Sequence, residues 1–318
     1  MRVAFQTGAE IEDQISREQN INNPLQTINP LLQGLYRRGI NQVFHYQTST
    51  IKRNGTLTGN GHWLHLLNMG QYGKFQFAYS QGVEKLDDFD AIFVRGDDVN
   101  GGTSHQALLI DGLEEIALMN SGAATVLTRD KFEIPRRFSQ YPDSIPQTYT
   151  IESVEDLANA WENIRGEAVV LKGRYGSGGK EVEKFPRTKL GYQRGKTYFQ
   201  RFGQLVAQEY LPEISEGDVR VVALDGEIIG ALRRRSGEGW KTNTTSGGSR
   251  EPIHLTPTMI DNARIGLELF PDVRFQGLDM TYASGRFIET NAFPCSLGSL
   301  NTLYGNGHED KIINKLME

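Results

Sequence analysis

The stretch Val169-Val170-Leu171-Lys172-Gly173-Arg174-Tyr175-Gly176-Ser177-Gly178-Gly179-Lys180 decides how the rest of the chain is read. Its apolar half has the composition of a buried strand. The glycines that follow carry no Cβ, so their backbone N–H groups can come close to an anion. Lys172, at the end of the strand, adds a full positive charge, and the combination suits a phosphate clamp. A P-loop is excluded. It needs Gly-Lys-Ser/Thr opening a helix, and here Gly179-Lys180 runs into Glu181. Val182 and Phe185 stand among charged residues, which predicts a second strand. Taken alone, the stretch fits a strand–glycine loop–strand clamp over a nucleotide, and equally an ordinary flexible hairpin with a surface lysine.

The 318 residues are 38% hydrophobic and 23% charged, with a formal net charge of −5. One to three domains fit that length. The charge gives no reason to expect nucleic acid or an anionic membrane as a partner. Cys295 is the sole cysteine, so no intramolecular disulfide can form and a reducing compartment is expected. The N-terminus is too poor in apolar residues for a signal peptide, and no apolar run approaches the ~20 residues that span a bilayer. The expectation is a cytoplasmic protein.

Upstream of the clamp, Arg2–Thr7 reads as a strand, Pro24–Gly39 as a helix and Gln42–Tyr46 as a second strand. Strand, helix, strand opens a parallel α/β sheet. Thr48–Gly61 reads as turn-rich, because Arg53-Asn54-Gly55 and Gly59-Asn60-Gly61 favour positive φ. Asp90–Arg95 is a buried strand with polar residues at its carboxyl end, where open sheets bind ligands. A helix is expected over Ala107–Asn120 and a short strand over Ala124–Thr128. The Pro/Ser/Gln-rich piece Pro142–Gln147 reads as a linker, with a domain boundary just before it. Ser153–Ile164 is a capped helix. Strands follow at Leu205–Glu209, Asp218–Ala223 and Glu227–Arg235, the last two around the turn Asp225-Gly226. Pro257–Phe270 is a helix, and Phe275–Met280 and Arg286–Thr290 close the chain as strands.

Two further groups carry chemistry. Asp279 lies in one of the closing strands, and Glu289 and Asn291 lie two apart on the next, on one face. Three hard oxygen donors can hold Mg²⁺, which prefers carboxylates plus nucleotide phosphates to an all-protein cage. They also fit a pair of exposed hairpin carboxylates. The second group is Arg220, Arg233, Arg234, Arg235, Lys241 and Asn243. Guanidinium groups suit phosphoryl oxygens. Arg220 and Arg233 alternate with apolar neighbours, whereas Arg234 and Arg235 fit a solvated basic strand equally well.

The order of these features resembles the ATP-grasp superfamily, and within it the bacterial glutathione synthetase-like ligases and the ligases that add glutamate to ribosomal protein. The features are Lys172 with its glycine loop, Gln208-Glu209-Tyr210-Leu211, Arg220, Arg233, Asn243, then Asp279, Glu289 and Asn291. The resemblance covers nearly the whole chain. It includes Phe93-Val94-Arg95-Gly96-Asp97, the stretch from Asn120 to Lys131-Phe132, Gln208 through Arg220, and Gly247-Gly248-Ser249.

The resemblance implies an ATP-grasp fold, α/β and α+β, behind an N-terminal parallel α/β domain. It divides the chain into 1–125, an N-terminal substrate-side domain; 126–204, a small lid subdomain; and 205–318, a metal-binding catalytic subdomain. It further implies that Lys131 and Lys172 contact ATP phosphates, with Gly176, Ser177, Gly178 and Gly179 closing over them. Gln208, Glu209, Tyr210 and Leu211 would form the hinge that reads adenine, and Glu216 or Asp218 would face the ribose. Arg220, Arg233 and Asn243 would serve the transferred phosphoryl group, and Asp279, Glu289 and Asn291 two Mg²⁺ or Mn²⁺ ions. Arg95, Asp97 and Lys241 are the candidates for the substrate, with Asp98 beside them. The implied reaction is amide formation between a carboxylate and an amine through an acyl phosphate. The implied partners are small-molecule or peptide substrates and a homo-oligomer, dimer or tetramer.

Three positions depart from the pattern. Where glutathione synthetases follow the metal Asn with a Val-Thr-Ser-Pro-Thr-like segment, this chain reads Asn291-Ala292-Phe293-Pro294-Cys295-Ser296-Leu297-Gly298, which looks closer to ligases adding glutamate or other amino acids to peptide or protein termini. Gly173 stands where the family has Pro, and Lys241 where it has Arg. No residue pattern suggests a nucleophilic triad, and Cys295 reads as a packed or loop thiol.

Overall fold

The computed structural model describes residues 1–7, 28–69, 75–95, 104–175, 179, 181–235, 240, 248–294, 296–305 and 307–318. Their strands form three sheets. The first contains β1 (Val3–Thr7), β2 (Gln42–Gln47), β3 (Lys52–Asn54), β4 (Thr56–Met69), β5 (Phe75–Lys85), β6 (Ala91–Val94) and β7 (Ala117–Met119). Strands β2, β1, β6 and β7 run parallel in that order, and β4 joins β2 antiparallel. The second sheet is antiparallel, in the order β10 (Val182–Pro186), β9 (Ala168–Gly173), β11 (Leu205–Glu209), β8 (Thr148–Ile151). The third is antiparallel too, with β14 (Ser249–Pro252), β13 (Glu227–Arg235), β12 (Asp218–Leu224), β15 (Phe275–Thr281) and β16 (Phe287–Ala292) side by side. This is the mixed α/β and α+β class expected. The expected boundary after residue 204 falls just before β11, which pairs with β8 and β9 of the second sheet.

Helices cover the sheets: α1 (Ile28–Arg37), α2 (Ser104–Leu109), α3 (Gly122–Arg129), α4 (Glu133–Arg137), α5 (Val154–Asn163), α6 (Lys189–Phe202), α7 (Pro257–Leu269), α8 (Leu297–Tyr304) and α9 (His308–Met317). Helix α1 buries Ile28, Leu31, Leu32 and Leu35, one stripe at helical spacing. That stripe shares a core with Phe5 and Phe93 of the first sheet and with Phe275, Leu232 and Leu300 from the C-terminal part. The N-terminal sheet is therefore welded to the third sheet by apolar packing. On the second sheet, Leu157 and Trp161 of α5 pack on Val169 and Leu171. Helix α5 starts with a reciprocal capping box between Ser153 and Asp156.

Three expectations are corrected. Gly59-Asn60-Gly61 is not a turn but part of β4. Gly61 is required by closeness, since a Cβ there would stand 2.0 Å from the carbonyl oxygen of His45 on β2. The helix expected over Ala107–Asn120 is the shorter α2, and Ala117–Met119 instead pairs parallel with β6. The strand expected over Ala124–Thr128 is helix α3. Its first turn is fixed from outside the segment: Asp111 accepts from the N–H of Gly122 at 2.6 Å and of Ala123 at 2.8 Å, and Ser121 caps Ala124. That anchoring outweighs the β preference of Thr125, Val126 and Thr128.

Candidate active site

Lys172 lies near the end of β9, on the face that does not pack on the helices, with Gln208 of β11 on the same face. Lys131 reaches the same place from another direction. Its N–H donates to Arg174 O at 3.0 Å. Arg174 Nε donates to Asp130 Oδ1 at 2.8 Å, its Nη2 donates to Asp130 Oδ2, and the guanidinium lies 4.4 Å over the Phe132 ring. Arg174 thus staples residues 130–132 to the end of β9. Burial pushes Lys172 down to about 8, against the opposing pull of Glu289 and Asp279 and with Lys131 adding to the fall. Burial also lowers Lys131, opposed by Glu289 and Glu181. Two lysines therefore sit close together, opposite carboxylates from the third sheet. Of the expected glycine loop, Gly176, Ser177 and Gly178 lie outside the described residues, and Gly179 has the positive φ of +70° that glycine tolerates. Gly173 donates its N–H to Glu181 O at 2.9 Å, which a proline could not do.

On the third sheet, Arg220 of β12 stands opposite Asp279 of β15. Arg220 Nε donates to Asp279 Oδ1 and Nη2 to Oδ2 at 2.5 Å. Arg234 holds Asp218 the same way, with Nε 2.7 Å from Oδ1, and its Nη2 also stands 3.1 Å from Asp279 Oδ2. Burial acts to raise the Asp279 carboxyl, but Arg220 and Arg234 outweigh it and hold it below the ordinary range. Asp279 is paired with Glu289 across β15 and β16. Asn291 Nδ2 lies 3.5 Å from Asp279 Oδ2 and 3.4 Å from Glu289 Oε1.

These three side chains converge, and turning the Asn291 amide would present its oxygen at the same point. Among the described residues no three His, Cys, Asp or Glu side chains come together. Two carboxylates and an amide make an incomplete hard-oxygen set, which fits Mg²⁺ sharing its shell with phosphates and water.

The resemblance implies Arg233 for the transferred phosphoryl group, and the structure sets Arg233 and Arg234 on opposite faces of β13. Arg233 points to the other face of β13, where Nε donates to Glu216 O at 3.1 Å, Nη1 stands 3.1 Å from Glu251 and the guanidinium lies 3.3 Å over the Tyr282 ring. Arg234 shares the face of Asp218 and Arg220. The cause is a bulge between Val222 and Ala223, which shifts the β12–β13 register by one residue. Asp218, expected at a ribose, holds Arg234, and the Glu216 side chain is exposed. At the hinge, Gln208 Nε2 donates to Thr148 Oγ1 at 3.0 Å. The Glu209 carboxylate accepts from Gln147 N at 3.2 Å and from Arg286 at 3.4 Å. Tyr210 meets Trp240 edge to face at 5.8 Å, with Lys184 Nζ 4.1 Å above the Tyr210 ring, and Leu211 opens a short 3-10 turn. Trp240, Lys184 and Arg286 had no sequence signal at these positions. Arg95 is buried just after β6. Asp97, Asp98, Lys241, Asn243 and Cys295 lie outside the described residues.

A lysine-bearing antiparallel sheet set against an arginine–carboxylate sheet, with a mainly parallel α/β sheet before them in the chain, is an ATP-grasp arrangement. Residues 137–296 match the family model for the prokaryotic glutathione synthetase ATP-grasp domain, half of the chain, and the chain belongs to that family. A glutathione synthetase of Agrobacterium fabrum is 33% identical over 124 residues, 37% of this chain and 37% of that protein. One from Prochlorococcus marinus is 28% identical over 244 residues, 73% of this chain and 76% of its own length. A probable alpha-L-glutamate ligase of Aeromonas salmonicida is 26% identical over 157 residues, 48% and 53% of the two chains. The matched stretches thus span from about a third to about three quarters of these relatives. The crystal structure of D-cycloserine synthetase DcsG shares the fold, with a TM-score of 0.66 over 99% of this chain and 100% of that one at 11% identity. No helix among the described residues is long and apolar enough to cross a membrane.

Proposed function

We propose that this chain is an ATP-dependent carboxylate–amine ligase of the cytoplasm, acting on small molecules or peptides. The observation that supports it best is the pair Lys131 and Lys172 standing opposite Asp279 and Glu289. ATP phosphates would lie between them. A substrate carboxylate oxygen attacks the γ-phosphorus, the bond to the ADP oxygen breaks, and an acyl phosphate forms. An amine nitrogen then attacks the acyl carbon, phosphate leaves, and the nitrogen gives up a proton to solvent. A carboxylate carbon becomes an electrophile only once its oxygen is part of a phosphate leaving group. Positioning and charge neutralisation suffice for this, so no nucleophilic side chain is needed.

Lys131 and Lys172 would neutralise the β- and γ-phosphate oxygens. Arg220 and Arg234 would steady the transferred group, by two-point contact where their carboxylate partners yield. Asp279, Glu289 and Asn291 would hold Mg²⁺, two ions in this reading, which when bound supply charge neutralisation between the phosphates. The backbone of Glu209 to Leu211 would read the adenine edge. Arg95, Asp97 and Lys241 remain our candidates for substrate contact, and Asn243 for the phosphoryl group.

A second reading, addition of amino acids to a peptide end, is favoured by one feature. After Asn291 the chain turns into the core: Phe293 is buried and meets Phe275 edge to face at 5.3 Å. The residues after Asn291 depart from the family pattern in sequence, and that departure supports this second reading.

The test is phosphate release with ATP and Mg²⁺ over a panel of amino acids, γ-glutamyl dipeptides and longer peptides. Substrate-dependent release with a short dipeptide supports the first reading, and release only with longer peptides the second. Release with none of them would leave an ATP-binding protein.

A further inference from the structure

The second sheet has a core of its own, in which Leu157 and Trp161 of α5 meet Val169, Leu171, Leu205 and Ala207. Ile134, Phe138 and Ile145 belong instead to the core of the third sheet, with Val219, Met280 and Phe287. The chain therefore passes from one core to the other between Ile145 and β8, and back again after β11. The return crossing is short. Tyr210 N still donates to Ala168 O of β9 at 3.2 Å. Ser284 Oγ, in the turn between β15 and β16, already donates to Glu213. Arg233 Nε then donates to Glu216 O at 3.1 Å, and Tyr282 N to Gly217 O at 3.3 Å. Only Leu211 and Pro212 lie between the two sets of bonds. Pro146 stands in the first crossing and Pro212 in the second, each with φ fixed by its ring.

Both crossings meet at one carboxylate. Glu209 N donates to Gln147 O at 2.8 Å, and Glu209 Oε2 accepts from Gln147 N at 3.2 Å. The same oxygen accepts from Arg286 Nη1 at 3.4 Å, and Arg286 leads into β16 of the third sheet. Glu209 alternates with Gln208, so its carboxylate lies off the face that carries Lys172. At the other end of β9, the Arg174 staple is a separate tie.

Two arms of similar length lead away from this contact. Glu209 pairs with Val169, three residues before Lys172. Arg286 lies three residues before Glu289. At a rise of ~3.3 Å per residue, each arm is about 10 Å long. The Glu209–Arg286 contact thus stands at the apex of a pair of calipers. Its tips are the lysine side and the carboxylate side of the proposed phosphate site.

We infer, resting on the ligase reading above, that Glu209 and Arg286 are positioning residues whose ion pair pins the junction of the second and third sheets and so sets the gap between Lys172 and Glu289. Neither side chain touches the reacting atoms. Without the pin, the second sheet samples a wider range of angles, and only part of that range leaves a gap that fits the phosphates. The apparent affinity for ATP then falls by the competent fraction. The Glu209 and Arg286 side chains are 14% and 35% exposed, and a pair so open to water contributes little to overall stability.

The experiment reads the angle directly. Spin labels are attached at L190C on α6 and M317C on α9, both exposed positions, in the full chain carrying C295S so that no other thiol reacts. The distance distribution between the labels is expected to be narrow, and to broaden in R286Q and in E209Q. In both variants ATP should bind about three- to tenfold more weakly, with thermal unfolding little changed. R286K, which keeps a cation for the single contact with Glu209 Oε2, is expected to retain the narrow distribution. The E209Q/R286Q double variant should be no broader than either single one, because the two residues act as one contact. E209Q carries the test if R286Q does not fold. A distribution as narrow in both single variants as in the intact chain overturns the inference. So does further broadening in the double variant, or unchanged ATP affinity where the distribution has broadened. If the intact chain binds no ATP, the ligase reading fails, and the distance distributions alone decide the pin.

Discussion

Arg220 and Asp279 face each other across β12 and β15 and are joined by a two-point ion pair, with Arg234 also on Oδ2 of the same carboxylate. A carboxylate that would hold a metal is thus kept ionised and aimed by two arginines. Gly277 makes room for this. A Cβ there would stand 2.6 Å from Pro294 Cβ and 3.0 Å from Arg220 Cδ. Gly277→Ala is expected to push the Arg220 stem aside, with a cost of about 1–3 kcal/mol in stability from overpacking. Turnover should fall further than stability does, because the guanidinium leaves its position. Thermal unfolding and kcat measured on the same preparation check this.

Glu289→Gln removes a charge from the convergence of Asp279, Glu289 and Asn291. Phosphate release should be lost, by about 10²-fold or more, while nucleotide binding stays measurable by calorimetry. Normal turnover in this variant would sink the metal assignment.

Arg234 and Arg233 offer a paired comparison. Arg234→Lys keeps the charge but loses two-point contact with Asp218, and kcat/KM is expected to drop by about 10²-fold. Arg233→Lys, on the other face of β13, is expected to cost less than about tenfold. The reverse order would mean that the bulge in β12–β13 does not set the working arginine.

Lys172, at about 8, is charged below that pH and neutral above it. As pH rises through about 8 the free enzyme loses a positive charge from its proposed phosphate site. So kcat/KM for ATP, which reports the free enzyme, should fall on the alkaline side with a limb near 8. Lys172→Arg, with a guanidinium that stays charged, should remove that limb even if overall activity drops.

Glu309, 1% exposed, accepts from Arg37 Nη2 at 2.6 Å and from Asn301 Nδ2 at 2.7 Å, tying α9 to α1 and α8. Burial acts to raise its carboxyl, but Asn301 and Arg37 hold it below the ordinary range. Its contribution is therefore present above the ordinary carboxylate pKa and is lost as pH falls through the lowered value. Glu309→Gln is expected to cost about 1–3 kcal/mol at neutral pH and to flatten the acid side of the stability profile. Urea unfolding at a series of pH values would show both.

Much of the third sheet and the clamp strand could be read from residue pattern. Alternation and glycine punctuation are local, and so is the capping box at Ser153. The failures had non-local causes. Helix α3 depends on Asp111, eleven positions upstream of Gly122. Strand β7 exists because β6 offers it an edge. The exchange of Arg233 for Arg234 is the sharpest case. Counting back from the turn at Asp225-Gly226 sets Arg233 opposite Asp218. Ile229, the extra residue in β13, moves Arg234 there instead. A bulge leaves no mark in composition, yet it decides which guanidinium faces the carboxylates. Lys131 and Lys172 are each named by the resemblance, whereas Arg174, which fastens residues 130–132 to the end of β9, carries no signal in the sequence.

The Arg174 staple has a kinetic meaning. Lys131 precedes the second sheet in the chain, but its backbone is fastened to the end of β9, where Lys172 also resides. Any swing of that sheet carries both ammonium groups at once. The grip on the phosphate tail would then be made and broken as a single event, and cutting the staple by Arg174→Ala would let one lysine release before the other. Nucleotide departure, expected as a single exponential in the intact protein, would then split into two phases.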